Sequence, residues 1–295
     1  MSNITSVRSS EIKPKNNNDY KCAPGTNFEA GSCAKLAVLI EYANAYNSSN
    51  NNKIKMYPEM ECLNPKKYKK YLVREIQNKL KDVCDDQKCW MEQSFVNKMK
   101  ETAREEFTKH TLRPEGPYGT FEWLSTINID DSMAQYEQKY SEFKFLGAVP
   151  MDFDEIEHLG IKNLDYGKLI KEGKSKIGVI FNLDEHWQPG SHWVGMFSDL
   201  KKGSVYYFDS YGVLPEPRVR KLMRRIARFC QVGLGINNIT VEHNKIRHQY
   251  ENSECGVYSM NFILRMLRGD TFEQICESKV PDKKINKCRK IYFNK

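Results

Sequence analysis

The pattern of hydrophobic and polar positions in the first third of the chain predicts helices. Apolar residues recur at helical spacing in residues 32–47, 66–83 and roughly 90–110. Residues 1–21 are instead rich in Ser, Asn and Lys, so we expect them to be flexible. The chain is therefore predicted to begin with a flexible segment, followed by a mostly helical arm over residues 22–111.

The pattern changes after residues 112–119, where Pro and Gly mark a linker and the predicted domain boundary. A short helix is predicted to begin near Asp130, which is placed as an N-cap. A basic amphipathic helix spans residues 217–230, and an apolar helix begins at Cys255 and stops at Gly269. Short runs of β-branched and aromatic residues predict four strands, at 176–183, 192–198, 204–209 and 238–242. We expect these elements to form one domain over residues 112–295.

The composition is that of a folded protein. The 295 residues are 40% hydrophobic and 12% aromatic, which suffices for a packed core. No apolar run approaches the roughly 18 residues that span a bilayer, and no signal-peptide pattern opens the chain. The nine cysteines form an odd, scattered set. Without a secretory signal, we expect reduced thiols in a reducing, cytosol-like compartment.

The positive charge does not by itself indicate a nucleic-acid-binding protein. The formal net charge is +8, but the lysines are spread over the whole chain. Such a diffuse excess is typical of a solvated surface. It is compatible with weak association with nucleic acid through the basic surface, and it does not favour dedicated sequence recognition.

Cys255 is the strongest candidate for a reactive residue. It begins a predicted helix, where the positive end of the helix dipole favours a thiolate over a thiol. Gly256 follows it and leaves the backbone N–H open to a substrate carbonyl. The alternative is that Cys255 is only a small core residue on a buried helix. The helix itself is predicted to be fixed by a buried apolar stripe of Val257, Met260, Ile263, Leu264 and Leu267.

A thiolate needs a nearby imidazole, and the imidazole needs an acid or amide that orients it. His192 is placed at the start of one predicted strand and Asp209 at the end of the next. A hairpin through Lys202-Gly203 would bring these two strand ends together. His186 is the alternative histidine, but it lies in a turn-like stretch before the strand. Neither His243 nor His248 starts a strand that is followed by an acid on its neighbour.

Gln249 lies in a polar loop six residues before Cys255. Its amide is a candidate donor to the oxyanion that forms when a thiolate attacks a carbonyl. In chain order the candidates are then His192, Asp209, Gln249 and Cys255. These are the four side-chain roles of a thiol protease, which predicts a cysteine protease.

These motifs also carry a family resemblance. His192-Trp193, Asp209-Ser210 and Gln249 with Cys255-Gly256 resemble the cysteine proteases that process ubiquitin-like proteins, which include SUMO proteases and adenovirus proteinase. Three further segments are similar to the polyprotein-processing protease of African swine fever virus and its relatives in giant DNA viruses: residues 128–131, 151–153 and 246–249. That protease has Asn at the position of Asp209, whereas the SUMO proteases have Asp, and either residue can orient an imidazole.

The resemblance implies an α+β fold, with a papain-like core in which a mixed β-sheet is flanked by helices, preceded by a helical arm. It implies cleavage after Gly-Gly in viral structural polyproteins during virion maturation, in the virion and the host cytoplasm. Trp193, Trp123 and Gly256 would contact the substrate, with the aromatic walls excluding any side chain at the two glycines. No metal or other cofactor is expected.

Two other functions remain open from the sequence. A deconjugase that acts on the Gly-Gly tails of SUMO or ubiquitin would use the same active site, and only the arm and other surfaces distinguish it. The motifs outside the site favour polyprotein cleavage. The second alternative is an inactive or metal-binding module that uses Cys84 and Cys89, but a single C-x4-C pair is a weak zinc signal.

Overall fold

The computed structural model describes residues 21–294 of the chain. They divide into two compact units between Arg113 and Pro114. The flexible segment predicted for residues 1–21 lies, except for Lys21, outside the described residues. None of the helices within residues 21–294 is both long enough and apolar enough to cross a bilayer.

The N-terminal unit is helical, as the sequence predicts. Its core surrounds the buried ring of Tyr42, which makes edge contacts with Phe95 and Phe107 at centroid distances of 5.1 Å. The single helix expected at 90–110 is wrong, because the chain must bend to bring Phe95 and Phe107 onto the same ring. The observed elements are α1 Leu36–Ser49, α2 Glu59–Leu63, α3 Pro65–Leu80, α4 Gln87–Met91, a 3₁₀ turn Ser94–Lys98 and α5 Glu101–His110.

Two disulfides in this unit correct the expectation that all cysteines are reduced thiols. Cys22 is bonded to Cys33 and Cys84 to Cys89, with Cα–Cα distances of 5.3 and 5.4 Å. The expectation fails because it rested on the lack of a secretory signal, whereas the fold pairs cysteines that are close in sequence, 11 and 5 positions apart. Since Cys84 and Cys89 are bonded to each other, they are not a pair of thiolate ligands. The cysteines outside these disulfides are Cys62, Cys230, Cys255, Cys276 and Cys288.

The C-terminal unit is built on a mixed five-stranded sheet in the order β1-β2-β3-β4-β5. The two outer pairs are parallel, and β2-β3 and β3-β4 are antiparallel. The predicted α+β fold, a mixed sheet flanked by helices, is confirmed. The strands are β1 Phe143–Val149, β2 Lys176–Asn182, β3 Trp193–Asp199, β4 Ser204–Phe208 and β5 Thr240–His243. The helices are α6 Thr126–Lys139, α7 Tyr166–Lys171, α8 Pro217–Arg228, α9 Cys255–Arg268, α10 Phe272–Glu277, α11 Asp282–Ile285 and α12 Arg289–Tyr292.

Two elements of this unit differ from the sequence prediction. Helix α6 begins four residues before Asp130, because Ser125 and Asn128 form a capping box at its start. Asp130 instead accepts a hydrogen bond from the backbone N–H of Ala148 at 2.7 Å. That contact ties α6 to β1, a strand the sequence analysis did not predict. The strand ends of the other four runs agree with the structure to within two residues.

The packing of α9 on β3 sets the position of the candidate site. Gly195 lets the helix approach closely, since a Cβ there would lie 3.0 Å from Phe262 and 3.3 Å from the Ser259 carbonyl. Ser259 also donates a hydrogen bond to the Trp193 carbonyl at 3.1 Å. The first turn of α9 is thereby fixed against the start of β3, where His192 lies.

Candidate active site

Cys255 is the first residue of α9 and is almost completely buried. Because it begins the helix, its backbone N–H has no partner within the helix and points towards the helix N-terminal side. Gly256 follows, and a Cβ there would lie 3.2 Å from the side chain of Leu124. The nucleophile candidate therefore lies at a helix N-terminus under close packing.

His192 and Asp209 form a buried pair, as the hairpin of β3 and β4 predicts. His192 Nε2 donates to Asp209 Oδ1 at 2.6 Å. Asp209 also accepts the backbone N–H groups of Tyr211 at 3.0 Å and Val213 at 3.2 Å. These three bonds fix the carboxylate and thus the imidazole plane. Because Nε2 is engaged with the acid, Nδ1 is the ring atom left to face the thiol.

The charge state of His192 follows from these neighbours. Burial by itself lowers the pKa of His192, but hydrogen bonds with Asp209 and Cys255 and the negative charge of both residues raise it to about 9. The imidazole is therefore a cation at neutral pH. A thiolate–imidazolium pair is the reactive form of a cysteine nucleophile.

Three residues around this pair escaped the sequence analysis. The Tyr211 ring stacks on His192, with centroids 4.4 Å apart and planes 8° from parallel. The Arg247 guanidinium covers the other side of Tyr211, at 4.9 Å from the ring centroid. Asn244 binds the Asp209 backbone twice, accepting from its N–H at 2.8 Å and donating to its carbonyl at 2.6 Å. The sequence offered one signal for the stacking on His192, namely an aromatic residue, Tyr211, two positions after Asp209.

Gln249 is fully buried and its side chain is held at both ends. Ser210, which follows Asp209, donates its hydroxyl to Gln249 Oε1 at 2.6 Å. Gln249 Nε2 donates to the Glu251 carbonyl at 2.6 Å. An amide nitrogen carries two hydrogens, so a second N–H remains for another acceptor.

The two tryptophans are linked through Leu124. Trp193 is buried, and its indole N–H donates to the Leu124 carbonyl at 2.9 Å. Trp123 is 51% exposed on the same short segment, residues 120–124, which we call the strap. The strap therefore runs past the N-terminal end of α9 and presents Trp123 to solvent. Trp123 also lines an open groove of about 490 Å³ with Tyr118 and Glu122.

Two other histidines near the site, His186 and His248, are held elsewhere. His186 lies in the loop before β3, where its Nδ1 contacts Asp152 Oδ2 at 2.5 Å and its side chain is largely exposed. His248 is buried and its Nε2 donates to the Cys276 carbonyl at 3.0 Å. Neither ring contacts Asp209.

Comparison with known proteins agrees with this geometry. Residues 171–293 match the C-terminal catalytic domain of the Ulp1 protease family. A protein of Acanthamoeba polyphaga mimivirus, named as a thiol protease, is 38% identical over 272 residues, which cover 90% of each chain. A cysteine protease of African swine fever virus is 27% identical over 251 residues, covering 79% of this chain and 90% of that protein.

The crystal structure of the African swine fever virus protease has the same fold. It superposes with a TM-score of 0.59 at 24% sequence identity, covering 85% of this chain and 94% of that chain. The mimivirus relative is similar over nearly the whole of both chains, including the helical arm. The predicted family and enzyme class are confirmed: the chain belongs to the Ulp1 protease family and is a thiol protease.

Proposed function

We propose that this protein is a cysteine endopeptidase that cleaves after Gly-Gly in viral structural polyproteins during virion maturation, within the virion and the host cytoplasm. The observation that carries the proposal is the buried His192–Asp209 pair, hydrogen-bonded to Cys255 at the start of α9. This arrangement supplies a nucleophile, a proton donor and an orienting acid in one place.

In the proposed reaction, the Cys255 thiolate attacks the carbonyl carbon of the second glycine. A C–S bond forms and the carbonyl electron pair moves to oxygen. When the intermediate collapses, the C–N bond breaks and His192 gives its proton to the leaving amine. Water then attacks the thioester, His192 takes a proton from it, and the C–S bond breaks to release the acid. His192 Nδ1 carries out both proton transfers, while Asp209 holds Nε2.

Gln249 and the backbone N–H of Cys255 are the proposed oxyanion donors. The Gln249 amide is preorganised, because Ser210 holds its oxygen and the Glu251 carbonyl holds one of its hydrogens. Donors fixed before the reaction need no reorganisation when charge develops on the oxygen. This supports the assignment of the remaining amide N–H to the oxyanion.

Close packing at the start of α9 supports a narrow substrate channel, and it also requires glycine at position 256 of the enzyme. The strap fills the space over the first turn of α9, and Trp123 and Trp193 flank Leu124 there. We infer that a substrate backbone passes between the strap and His192, where a Cβ would collide with the aromatic walls. Gly256 likewise tolerates no Cβ without displacement of Leu124.

A second candidate is a deconjugase of SUMO-like proteins. An African swine fever virus relative, 26% identical over 251 residues, carries the name SUMO-1 cysteine protease. The same Gly-Gly site would serve either reaction. Polyprotein cleavage is favoured because the similarity to viral proteases includes the helical arm, which lies outside the Ulp1 match at 171–293.

The basic surface supports a weak association with nucleic acid as an additional property. Three cations of α8 are exposed to solvent: Lys221, Arg224 and Arg228. Their neighbours Arg218 and Arg225 are neutralised by Glu185 and Asp154. A stripe of this size gives salt-dependent contact with phosphates and no sequence recognition.

The test is cleavage of matched peptides by the full-length protein. Peptides with Gly-Gly-Ala should be cut, and those with Gly-Ala-Ala or Ala-Gly-Ala should be poor substrates. Trp123→Ala should weaken this discrimination, and Cys255→Ser should abolish cleavage of every peptide. Equal cutting of all three peptides would reject the Gly-Gly specificity. A large preference for a folded SUMO–Gly-Gly fusion over an unstructured Gly-Gly peptide would favour the deconjugase.

A further inference from the structure

We propose that residues 282–292, which we call the C-terminal strut, position the catalytic groups of the enzyme. The strut comprises α11, α12 and the 3₁₀ turn between them. Asp282, Asn286 and Arg289 face the active-site loops from within it, and all three are buried. The proposal deepens the proposed function, because it rests on the roles given there to Cys255 and Gln249.

Arg289 fixes the residue that precedes the nucleophile. Its guanidinium donates to both carboxylate oxygens of Glu254, from Nη2 to Oε1 at 2.9 Å and from Nε to Oε2 at 3.1 Å. Both side chains are fully buried. Glu254 occupies the N-cap position of α9 but makes no side-chain capping bond there. Its carboxylate is therefore used to anchor the helix start to the strut and not to cap the helix.

Arg289 also holds the strap. The same Nη2 atom donates to the Glu122 carbonyl at 2.6 Å and to the Ser253 carbonyl at 3.1 Å. Asn286 donates to the Thr120 carbonyl at 2.8 Å and to Glu254 Oε1 at 3.2 Å. Two side chains of the strut thus join the strap to the residues that immediately precede Cys255.

Asp282 holds the loop that follows Gln249, the proposed oxyanion donor. Its Oδ2 atom accepts the backbone N–H of Tyr250 at 2.9 Å and that of Glu251 at 3.3 Å. Glu251 is the residue whose carbonyl holds the amide of Gln249 at 2.6 Å. A displacement of Asp282 would therefore move the proposed oxyanion donor without any direct contact with the substrate.

A purely stabilising role does not account for this arrangement. A buried ion pair gains little over an apolar pair of the same volume, because both charges lose their hydration. A guanidinium instead holds its donors in one rigid plane. Here Nε and Nη2 bind the Glu254 carboxylate, and Nη2 also reaches backbone carbonyls of two separate segments. Such geometry matters most where a small displacement of reacting groups slows a reaction.

The experiment compares variants of the full-length protein by three measurements. These are kcat and KM on a Gly-Gly peptide, the rate of Cys255 alkylation by iodoacetamide read by peptide mass mapping, and the unfolding temperature. Arg289→Lys keeps the positive charge but not the planar guanidinium that binds both carboxylate oxygens of Glu254. Asp282→Ala removes the carboxylate whose Oδ2 holds the Gln249 loop. Lys287→Ala, an exposed cation of the same strut, is the matched control.

We expect Arg289→Lys to lower kcat/KM by about 10- to 100-fold and to slow Cys255 alkylation. Asp282→Ala should lower kcat with KM and alkylation unchanged, since only the oxyanion side loses its support. Lys287→Ala should match the wild type in all three measurements. The double variant Glu254→Gln/Arg289→Met, which removes both charges, should recover the unfolding temperature but not kcat/KM.

Wild-type kcat/KM in Arg289→Lys, or recovery of kcat/KM in the double variant, would overturn the proposal and leave a structural ion pair. Alkylation needs no substrate, so it separates this proposal from the proposed function. If the wild type fails to cut Gly-Gly peptides, the proposed function is wrong, and the strut is then judged by alkylation alone. In that case an unchanged alkylation rate in Arg289→Lys would reject it.

Discussion

Replacing Asp209 by asparagine removes a negative charge from His192 while keeping an oxygen that accepts the same hydrogen bond. The structure shows what else changes. Asp209 Oδ1 serves His192 and the Tyr211 N–H, and Oδ2 serves the Val213 N–H. An asparagine oxygen can replace Oδ1, but its NH₂ group would face the Val213 N–H. Because Val213 is more than half exposed, water can satisfy that donor.

The magnitude follows from the pKa of His192, which rises from 6.5 to about 9. This rise corresponds to about 3 kcal/mol in favour of the imidazolium. Asp209 and Cys255 both contribute to this rise. We therefore expect the pKa of His192 to be about one unit lower in the asparagine variant than in the wild type. The imidazolium stabilises the folded state fully below pH 6.5, and this contribution is lost as pH rises through about 9.

The assay is the pH dependence of kcat/KM on a Gly-Gly peptide. The wild-type rate should fall above pH about 9, as His192 loses its proton and the ion pair disappears. Asp209→Asn should move this alkaline limb to lower pH and reduce the plateau less than Asp209→Ala, which keeps no acceptor for the imidazole. If the alkaline fall of kcat/KM stays at the wild-type pH in Asp209→Asn, the reasoning is refuted. Equal losses of kcat/KM in both variants at every pH would also refute it and make Asp209 structural.

Four further substitutions test the neighbouring groups. His192→Ala should lower kcat by about 10²–10⁴ through loss of the proton donor. His186→Ala should leave kcat nearly unchanged in the same assay. The reverse result would show that the wrong histidine was chosen. Gln249→Ala should lower kcat by about 10²–10³ with little change in KM. Cys255 should still react with iodoacetamide in that variant, and loss of alkylation would assign Gln249 a structural role. Tyr211→Leu should lower kcat/KM about two- to tenfold, matching about 0.5–1.5 kcal/mol for a lost ring contact, and an unchanged value would mean that the stack does not orient His192.

Much of the C-terminal unit could be predicted because its signals are local. The runs of β2, β3 and β4 follow one another with short connections, so the hairpin that joins His192 to Asp209 could be read from strand order. The start of α9 at Cys255 and its end at Gly269, with a positive φ of 98°, follow from residue types at the helix ends. The family resemblance then supplied the fold class.

The rest depends on contacts between distant segments, which leave no periodic signal. Strand β1 pairs in parallel with β2 across a long crossover, and its run of Phe143–Val149 contains a glycine and an irregular register that obscure the alternation. The bonds from Arg289 to Glu254 join residues 35 positions apart. The disulfides are a different case, because they join cysteines only 11 and 5 positions apart. They were missed because the expectation of reduced thiols rested on the lack of a secretory signal and not on cysteine spacing.

The most direct test of the central claim is a covalent trap. The full-length protein is incubated with a peptide that ends in Gly-Gly and an electrophile at the position of the scissile carbonyl, and the adduct is located by mass spectrometry. The five cysteines outside the disulfides make this a choice among competing thiols. We expect one adduct, on Cys255. It should form much more slowly in His192→Ala, and a Gly-Ala probe should form it poorly. An adduct on another cysteine, or equal labelling by the Gly-Ala probe, would contradict the assignment of Cys255 as the nucleophile of a Gly-Gly protease.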